Sequence, residues 1–381
     1  MLLGFGAKNF FSFKEGIEIS LELGANCPET VSRGNTVANL LCVKGGNGSG
    51  KTNVLKILSF LQYHCCHSFS RLKPDDEIMV SPFFYNNDPI EIFCEFLINN
   101  IRYTYELSLT NKTILSEKLS RRINRYTLLF ERKGENLSYC INEFSALNGI
   151  KLRKNASILS VAHQYEIDCI SSSYQFFESI ISNVAWHGRV NLSQEFKYSS
   201  KFYVEHPDIF KSAVKLIKES DLGISDIKIQ ETSDENGDKF YYPIFKHDVE
   251  DITNNWLPYV SQSLGTKTLY NTIFYYIVAL EKGGILVADE FDIDFHPNLL
   301  PKFVSYFDNE KFNKNNAQMI FSTHNTYILE YLGKYRTVLI NKTLSESFGY
   351  RLDELPGDLI RNDRPIVPLY NSGKIGGVPK L

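Results

Sequence analysis

From Gly45 to Thr52 the chain reads G-G-N-G-S-G-K-T. Gly45, Gly48 and Gly50, with Asn47 and Ser49 among them, let a loop turn its backbone N–H groups around an anion with no Cβ in the way. Lys51 adds a charge that can reach the outer phosphates of a nucleotide. The Thr52 hydroxyl can ligate Mg²⁺. Asn53 opens an apolar run to Leu61 (NVLKILSFL) that reads as a helix, and its positive end would face the same phosphates. Asn39 to Val43 (NLLCV) reads as a buried strand before the loop. Strand, glycine loop and helix in this order are the context a phosphate-binding G-x-x-x-x-G-K-S/T motif requires, and a chance glycine-rich turn needs neither flank.

A phosphate cradle also needs a carboxylate for its metal. Gly284 to Glu290 reads GILVADE, with four apolar residues suited to a central parallel strand and two acids at its end. Buried carboxylates are costly without partners, so packing explains this pair poorly. Asp289 would hold Mg²⁺ through water, and Glu290 would polarise an attacking water. Gln318 to Thr323 (QMIFST) reads as another core strand. His324, just past it, could contact a terminal phosphate, although a lone histidine there is more often an ordinary surface residue. Ser261 to Lys267 (SQSLGTK) precedes a predicted helix, Thr268 to Leu280. Ser263 and Gly265 at its start can hold an anion, but these residue types also begin helices for ordinary reasons.

The elements that must position these groups belong to a chain of 381 residues, 43% hydrophobic and 22% charged, enough for a large core in one or two domains. The net charge of −3 makes no global case for nucleic acid. One local stretch is basic: Lys112, Lys118, Arg121, Arg122, Arg125, Arg132 and Lys133 could meet a DNA backbone, with a solvated sheet face as the simpler account. Seven cysteines are scattered with no disulfide framework, and reduced thiols in a cytoplasmic protein are expected. On a helix His64, Cys65, Cys66 and His67 point in different directions and cannot converge on a metal. No leader and no membrane span is expected from the start MLLGFGAKNFFSF or from any apolar run.

Glu91 to Leu109 alternates apolar and polar residues about Asn99-Asn100 and predicts a hairpin. Tyr126 to Glu131 and Asn136 to Ile141 read as further strands, and Tyr174 to Trp186 and Pro207 to Leu222 as helices. No sustained heptad and no Cys-x-x-Cys occurs, so a long coiled coil with a zinc hook is not expected.

Taken in order, the phosphate loop, the long insertion, the helix-start Ser-x-Gly, the acidic strand and the strand with histidine resemble the ATP-binding-cassette heads of the SMC and RecF class. The resemblance implies an α/β fold, in which a parallel core sheet flanked by helices and an antiparallel β lobe carry an inserted, mainly helical subdomain. It implies a discontinuous head at 1–60 and 250–381, the β lobe at 61–150 and the insertion at 151–249. ATP and Mg²⁺ are the implied cofactors. In that class the Ser-x-Gly signature binds the γ-phosphate of ATP held by the opposite subunit, which implies self-association into a homodimer or larger oligomer. Here Ser263, Leu264 and Gly265 occupy the signature, and Leu264 and Thr266 depart from the transporter pattern. Asn9 to Leu23 (NFFSFKEGIEISLEL) looks like the opening β-hairpin of the class.

DEFDIDFHP (Asp289 to Pro297) and YNSGKIGGVP (Tyr370 to Pro379) resemble the OLD-like and RloA/AbiL-type ATPases of bacterial defence. OLD nucleases carry a TOPRIM domain after the ATPase, for which little chain follows Asp289 here. The expected effector is therefore a separate polypeptide, a TOPRIM- or RloB-type nuclease or a toxin, with a phage protein as a possible trigger. The alternative is a RecF-like DNA-repair ATPase. Chemistry is common to both, so tight ATP-dependent DNA binding by the isolated chain would favour the second.

Overall fold

The computed structural model describes residues 1–190, 196–220, 223–233, 237–250, 252–292, 300–357, 359–361 and 364–378. Two strands, β1 (Leu2–Lys8) and β2 (Ile17–Ser20), pair antiparallel at the start. Asn9 to Phe13 forms the connection between them rather than a strand of the opening hairpin, with Phe10 bridged to Phe13. A short helix, α1 (Glu29–Ser32), precedes β3 (Leu40–Gly45), and α2 (Lys51–Arg71) runs on well beyond the apolar stretch that announces it. Then come β4 (Ile90–Ile98) and β5 (Ile101–Leu109). Asn99 and Asn100 join them, both with positive φ (49° and 61°), the geometry a two-residue hairpin turn demands and asparagine tolerates. β6 (Ile114–Arg122), β7 (Tyr126–Lys133) and β8 (Asn136–Cys140) complete a seven-stranded antiparallel sheet in the order β2-β1-β4-β5-β6-β7-β8.

After α3 (Ile158–Gln164) and α4 (Ser171–Glu178) the chain departs from the helix expected to continue to Trp186. It extends instead as β9 (Ile180–Ser182), which pairs in parallel with a strand a hundred residues away, and then makes the small β10 (Val184–Ala185) and β11 (Gly188–Arg189) ribbon. α5 (Phe196–Glu205) and α6 (Pro207–Ser220) are followed by β12 (Ile224–Ser233), β13 (Lys239–His247) and β14 (Trp256–Pro258), a three-stranded antiparallel sheet. Residues 151–249, expected to be mainly helical, thus carry four helices but also β9 and the β12–β13 hairpin.

The remainder alternates helix and strand: α7 (Leu264–Lys282), β15 (Ile285–Ala288), α8 (Leu300–Phe307), β16 (Gln318–Ser322), α9 (Ile328–Leu332), β17 (Thr337–Thr343), β18 (Glu346–Arg351) and α10 (Ile366–Asn371). These strands build the second large sheet, ordered β18-β17-β3-β16-β15-β9, parallel except for the edge strand β18.

The near-continuous apolar runs of β3, β15 and β16 have a direct cause. Alternate residues enter two different cores: Leu41, Val43, Ile285, Val287 and Ile320 pack with α2 and the antiparallel sheet. Leu40, Cys42, Leu286, Ala288, Met319 and Phe321 pack with α7 and α8 on the other face. A strand covered on both faces has no polar side to show. The parallel order also brings the ends of β3, β16 and β15 together at one edge, with Ser322 paired to Val43 and Phe321 to Ala288. Ligands of open parallel sheets bind beyond such ends.

Candidate active site

The glycine loop bends between β3 and α2 as its composition requires. A Cβ on Gly45 would lie 2.5 Å from the Ile340 carbonyl oxygen, and Gly50 has φ of 112° with Ser347 and Ser12 hydroxyls close against it. Neither position can take a side chain without moving its surroundings. Ser347 Oγ donates to the Ser49 carbonyl at 2.6 Å and accepts from the Ser12 hydroxyl at 2.8 Å, and Asn53 Nδ2 donates to Ser12 Oγ at 2.9 Å. Lys342 Nζ reaches the Gly48 carbonyl at 3.3 Å. The β17–β18 hairpin and the β1–β2 connection therefore brace the loop from outside, while Asn47 and Gly48 stay exposed.

Lys51 folds back on the loop, its Nζ donating to the carbonyls of Gly45 at 3.0 Å and Gly46 at 3.1 Å. Burial lowers its pKa, a shift opposed by the charges of Asp289, Glu290 and Asp292. At the next residue, Thr52 Oγ1 donates to Asp289 Oδ2 at 2.7 Å, so the first hydroxyl of α2 and the carboxylate ending β15 meet. Ser322 Oγ donates to the other oxygen, Asp289 Oδ1, and accepts the Glu290 N–H at 2.8 Å. Asn183, following β9, exchanges two bonds with the Asp289 backbone: Nδ2 to the carbonyl at 3.0 Å, and the Asp289 N–H to Oδ1 at 2.7 Å.

Glu290 carries φ of 49°, the left-handed region, and its side chain is one-third exposed. A non-glycine residue held there costs roughly 1 kcal/mol or more and persists only when its surroundings demand it. The bonds from Ser322 and Asn183 on either side supply that demand. His324 Nε2 stands 3.7 Å from Glu290 Oε1, and its N–H donates to Asp292 Oδ1 at 3.0 Å. Lys44, buried in β3, donates from Nζ to the Thr323 carbonyl at 3.0 Å and so fixes the turn leading to His324. Burial lowers the Lys44 pKa as well.

Lys51, Thr52, Asp289, Glu290 and His324 thus gather at one edge of the sheet. Ser263 and Gly265 do not join them. Ser263 caps α7, its Oγ accepting the Thr266 N–H at 3.1 Å, and no bond links it to residues 45–52 among the described residues. Beside Gly265, among the described residues, only Ser263 Oγ comes near, 3.9 Å from where a Cβ would lie, and Leu264 between them is 79% exposed. The Asp289–Pro297 run is described only to Asp292, and the Tyr370–Pro379 run only to Val378; the rest of each lies outside the described residues.

Sequence reading missed Asn183, Ser322, Ser347 and Lys44, and gave Asp292, inside the DEFDIDFHP run, no role of its own. Of the four, Ser322 had a signal, a hydroxyl closing an apolar strand. The basic stretch is largely spent on neighbours: Lys118 and Lys133 pair with Glu131, Arg121 with Glu143, and Arg132 is fully buried against Glu117.

The geometry fits a magnesium nucleotide. Ser49 Oγ is buried without a hydrogen-bond partner among the described residues, inside a loop whose glycines leave room for an anion. The Thr52–Asp289 contact sets a hydroxyl and a carboxylate together as hard-cation ligands. Sheet, loop and acid pair define a P-loop ATPase fold. The family described as "AAA domain, putative AbiEii toxin, Type IV TA system" matches residues 40–330, and the chain belongs to it. Among solved structures it is similar to the SMC head domain from Thermotoga maritima (14% identity, TM-score 0.43, covering 92% of this chain and 98% of that one). It is also similar to an SMC head bound to the C-winged helix domain of ScpA (13% identity, TM-score 0.44, covering 93% and 98%). No curated protein matches. No described helix is long and apolar enough to cross a membrane.

Proposed function

We propose that this chain is the ATP-hydrolysing subunit of an anti-phage, abortive-infection-like defence complex. It senses a trigger and controls a separate toxic or nuclease effector through ATP-dependent assembly. The observation that carries the ATPase reading is the 2.7 Å contact between Thr52 and Asp289, which joins the phosphate loop to the acidic strand. The toxin–antitoxin description of its family supports the defence setting.

Bound Mg·ATP supplies the phosphoryl group and the metal that neutralises its charge. Loop N–H groups from Gly46 to Thr52 and the N-terminus of α2 orient the phosphates. Lys51 exchanges its two carbonyl partners for phosphate oxygens. Thr52 and Asp289, already in contact, would hold the cation. Glu290 accepts the proton of the attacking water, its carboxylate oriented by the Ser322 bond to its backbone. His324 borders the same space and can contact the terminal phosphate. Ser263 and Gly265 serve a second copy, whose phosphate loop they complete; in their own chain Ser263 Oγ caps α7 through the Thr266 N–H.

The test pairs chemistry with biology. Lys51→Ala removes one charge-assisted contact, so ATP affinity falls at least about tenfold, and cells carrying it with the neighbouring genes lose protection in a phage plaque assay. Wild-type ATP affinity in the variant overturns the loop assignment. Lost ATP binding with intact protection overturns the ATP-dependent control of the effector, and tight ATP-dependent DNA binding by the isolated chain overturns the defence reading.

A further inference from the structure

Along α2, past the phosphate loop, lies a cavity of about 500 Å³ that hydrolysis does not use. Phe11, Phe60, Tyr63 and Trp186 form aromatic walls, and Lys56 and Arg71 supply positive charge. The volume lies within the range of small-molecule sites.

Lys56 is the unusual member. It follows Thr52 by one helical turn and is 9% exposed. Its Nζ lies 4.0 Å from the centre of the Phe11 ring, and among the described residues it has no hydrogen-bond or ion-pair partner. A cation–π contact alone recovers little of the hydration an ammonium gives up. Asp289 is near enough to be felt electrostatically, but Thr52 and Ser322 already occupy its two carboxylate oxygens. Burial accordingly lowers the Lys56 pKa. Trp186 presents the complementary oddity, a large aromatic that is 54% exposed on the rim of the same cavity. A largely buried lysine with no carboxylate paired to it among the described residues asks for an anion, and rings on several sides ask for a planar apolar body.

We propose that this cavity is a second ligand site, separate from the phosphate loop, for an aromatic anion the size of a nucleoside monophosphate. The ring stacks against Tyr63 and Trp186, and the anionic group pairs with Lys56, with Arg71 as the outer cation. The site does not rest on the ATPase reading. The two sites share a segment: Ser182 and Val184 line the cavity on either side of Asn183, which holds the Asp289 backbone.

The chain contains two tryptophans, so Trp256→Phe leaves Trp186 as the sole indole reporter. The full-length chain carrying Trp256→Phe and Lys51→Ala is titrated with AMP, GMP, CMP and UMP, then with adenosine and inorganic phosphate. The Lys51 change disables the phosphate loop, so failure of the ATPase reading leaves this readout intact. Expected is a saturable change of Trp186 emission with at least one monophosphate. Adenosine and phosphate alone should bind about tenfold more weakly, one charge-assisted contact being worth that much. Lys56→Met should cause a similar loss. In the same chain with Lys56 in place, the monophosphate should protect Lys56 from acetylation, read by mass spectrometry, which needs no variant at that position. No saturable change with any of the four up to about 10 mM, unaltered affinity in Lys56→Met, or unprotected Lys56 at saturation overturns the proposal.

Discussion

Replacing Ser322 by alanine isolates the device that holds the two acids. Ser322 is fully buried, and its hydroxyl has two partners: it donates to Asp289 Oδ1 and accepts the Glu290 N–H at 2.8 Å. A hydrogen bond to a charged group is worth about 1.5–3 kcal/mol, and the lost acceptor leaves the Glu290 N–H to find another at about 1 kcal/mol or more. The backbone at Glu290 is held in the left-handed region, so relaxation there moves the carboxylate away from its place. If half or more of this energy supports the arrangement at the moment of reaction, kcat falls about 10- to 100-fold, since 1.4 kcal/mol is a factor of ten.

ATP affinity should change far less, because Lys51, the loop glycines and the N-terminus of α2 are untouched. The assay is phosphate release at saturating ATP beside calorimetric ATP binding, with thermal unfolding to verify the fold. A kcat within twofold of wild type in a folded variant would refute the positioning argument. So would an affinity loss equal to the loss of kcat, which would make Ser322 a binding residue instead.

Glu290→Gln should bind ATP but slow hydrolysis about 10²- to 10⁴-fold, because an amide orients water yet is a poor base; light scattering should then show an ATP-trapped assembly, and undiminished turnover would move the base elsewhere. Lys51→Ala and Ser263→Arg should each be inactive alone, and mixing them should restore some ATPase activity through one intact composite site. Equal inactivity in a mixed dimer held together by a covalent tether would remove the trans signature, provided tethered wild-type chains are active. His64 gives a pH prediction. Burial, with the Arg132 charge second, lowers its pKa from 6.5 to about 3, and both ring nitrogens are buried without hydrogen-bond partners among the described residues. The folded state therefore excludes a proton that the unfolded chain accepts, so this stability is fully present above pH 6.5 and is lost as pH falls toward 3. At about 1.4 kcal/mol per pH unit, roughly 2 kcal/mol goes between pH 6.5 and 5. His64→Leu should flatten denaturant midpoints over that interval, and an unchanged slope would place the titration on another group.

What was legible in the sequence was whatever a local geometry forces. Gly45 and Gly50 must be glycine because a Cβ would strike Ile340 or Ser347, and that need is written into the loop itself. Asn99 and Asn100 both require positive φ, so the hairpin between β4 and β5 declared its own turn. The apolar runs of β3, β15 and β16 reported burial on two faces, which is a property of each strand by itself. The acids at the end of β15 stood out because a carboxylate there is expensive unless something uses it.

The misread segment shows where that legibility stops. Tyr174, Phe177, Ile181 and Val184 recur at spacings of three and four, so the helical period runs straight through the end of α4. The chain nevertheless leaves the helix after Glu178, because Ile180 and Ile181 pair with Ile285 and Leu286 of β15. No window around residue 180 contains the partner that decides its conformation. The same pairing sets Asn183 against the Asp289 backbone, so one long-range contact both ends a helix and furnishes the active site with a brace. Ser322 and Ser347 are of this kind too, each polar group meaningful only through a strand or loop far along the chain. Residues proposed to touch phosphate share a local motif, because one anion would constrain them all. Residues that hold them are constrained by sheet order, and their identity becomes readable only when the neighbours of β16, β9 and β18 are known.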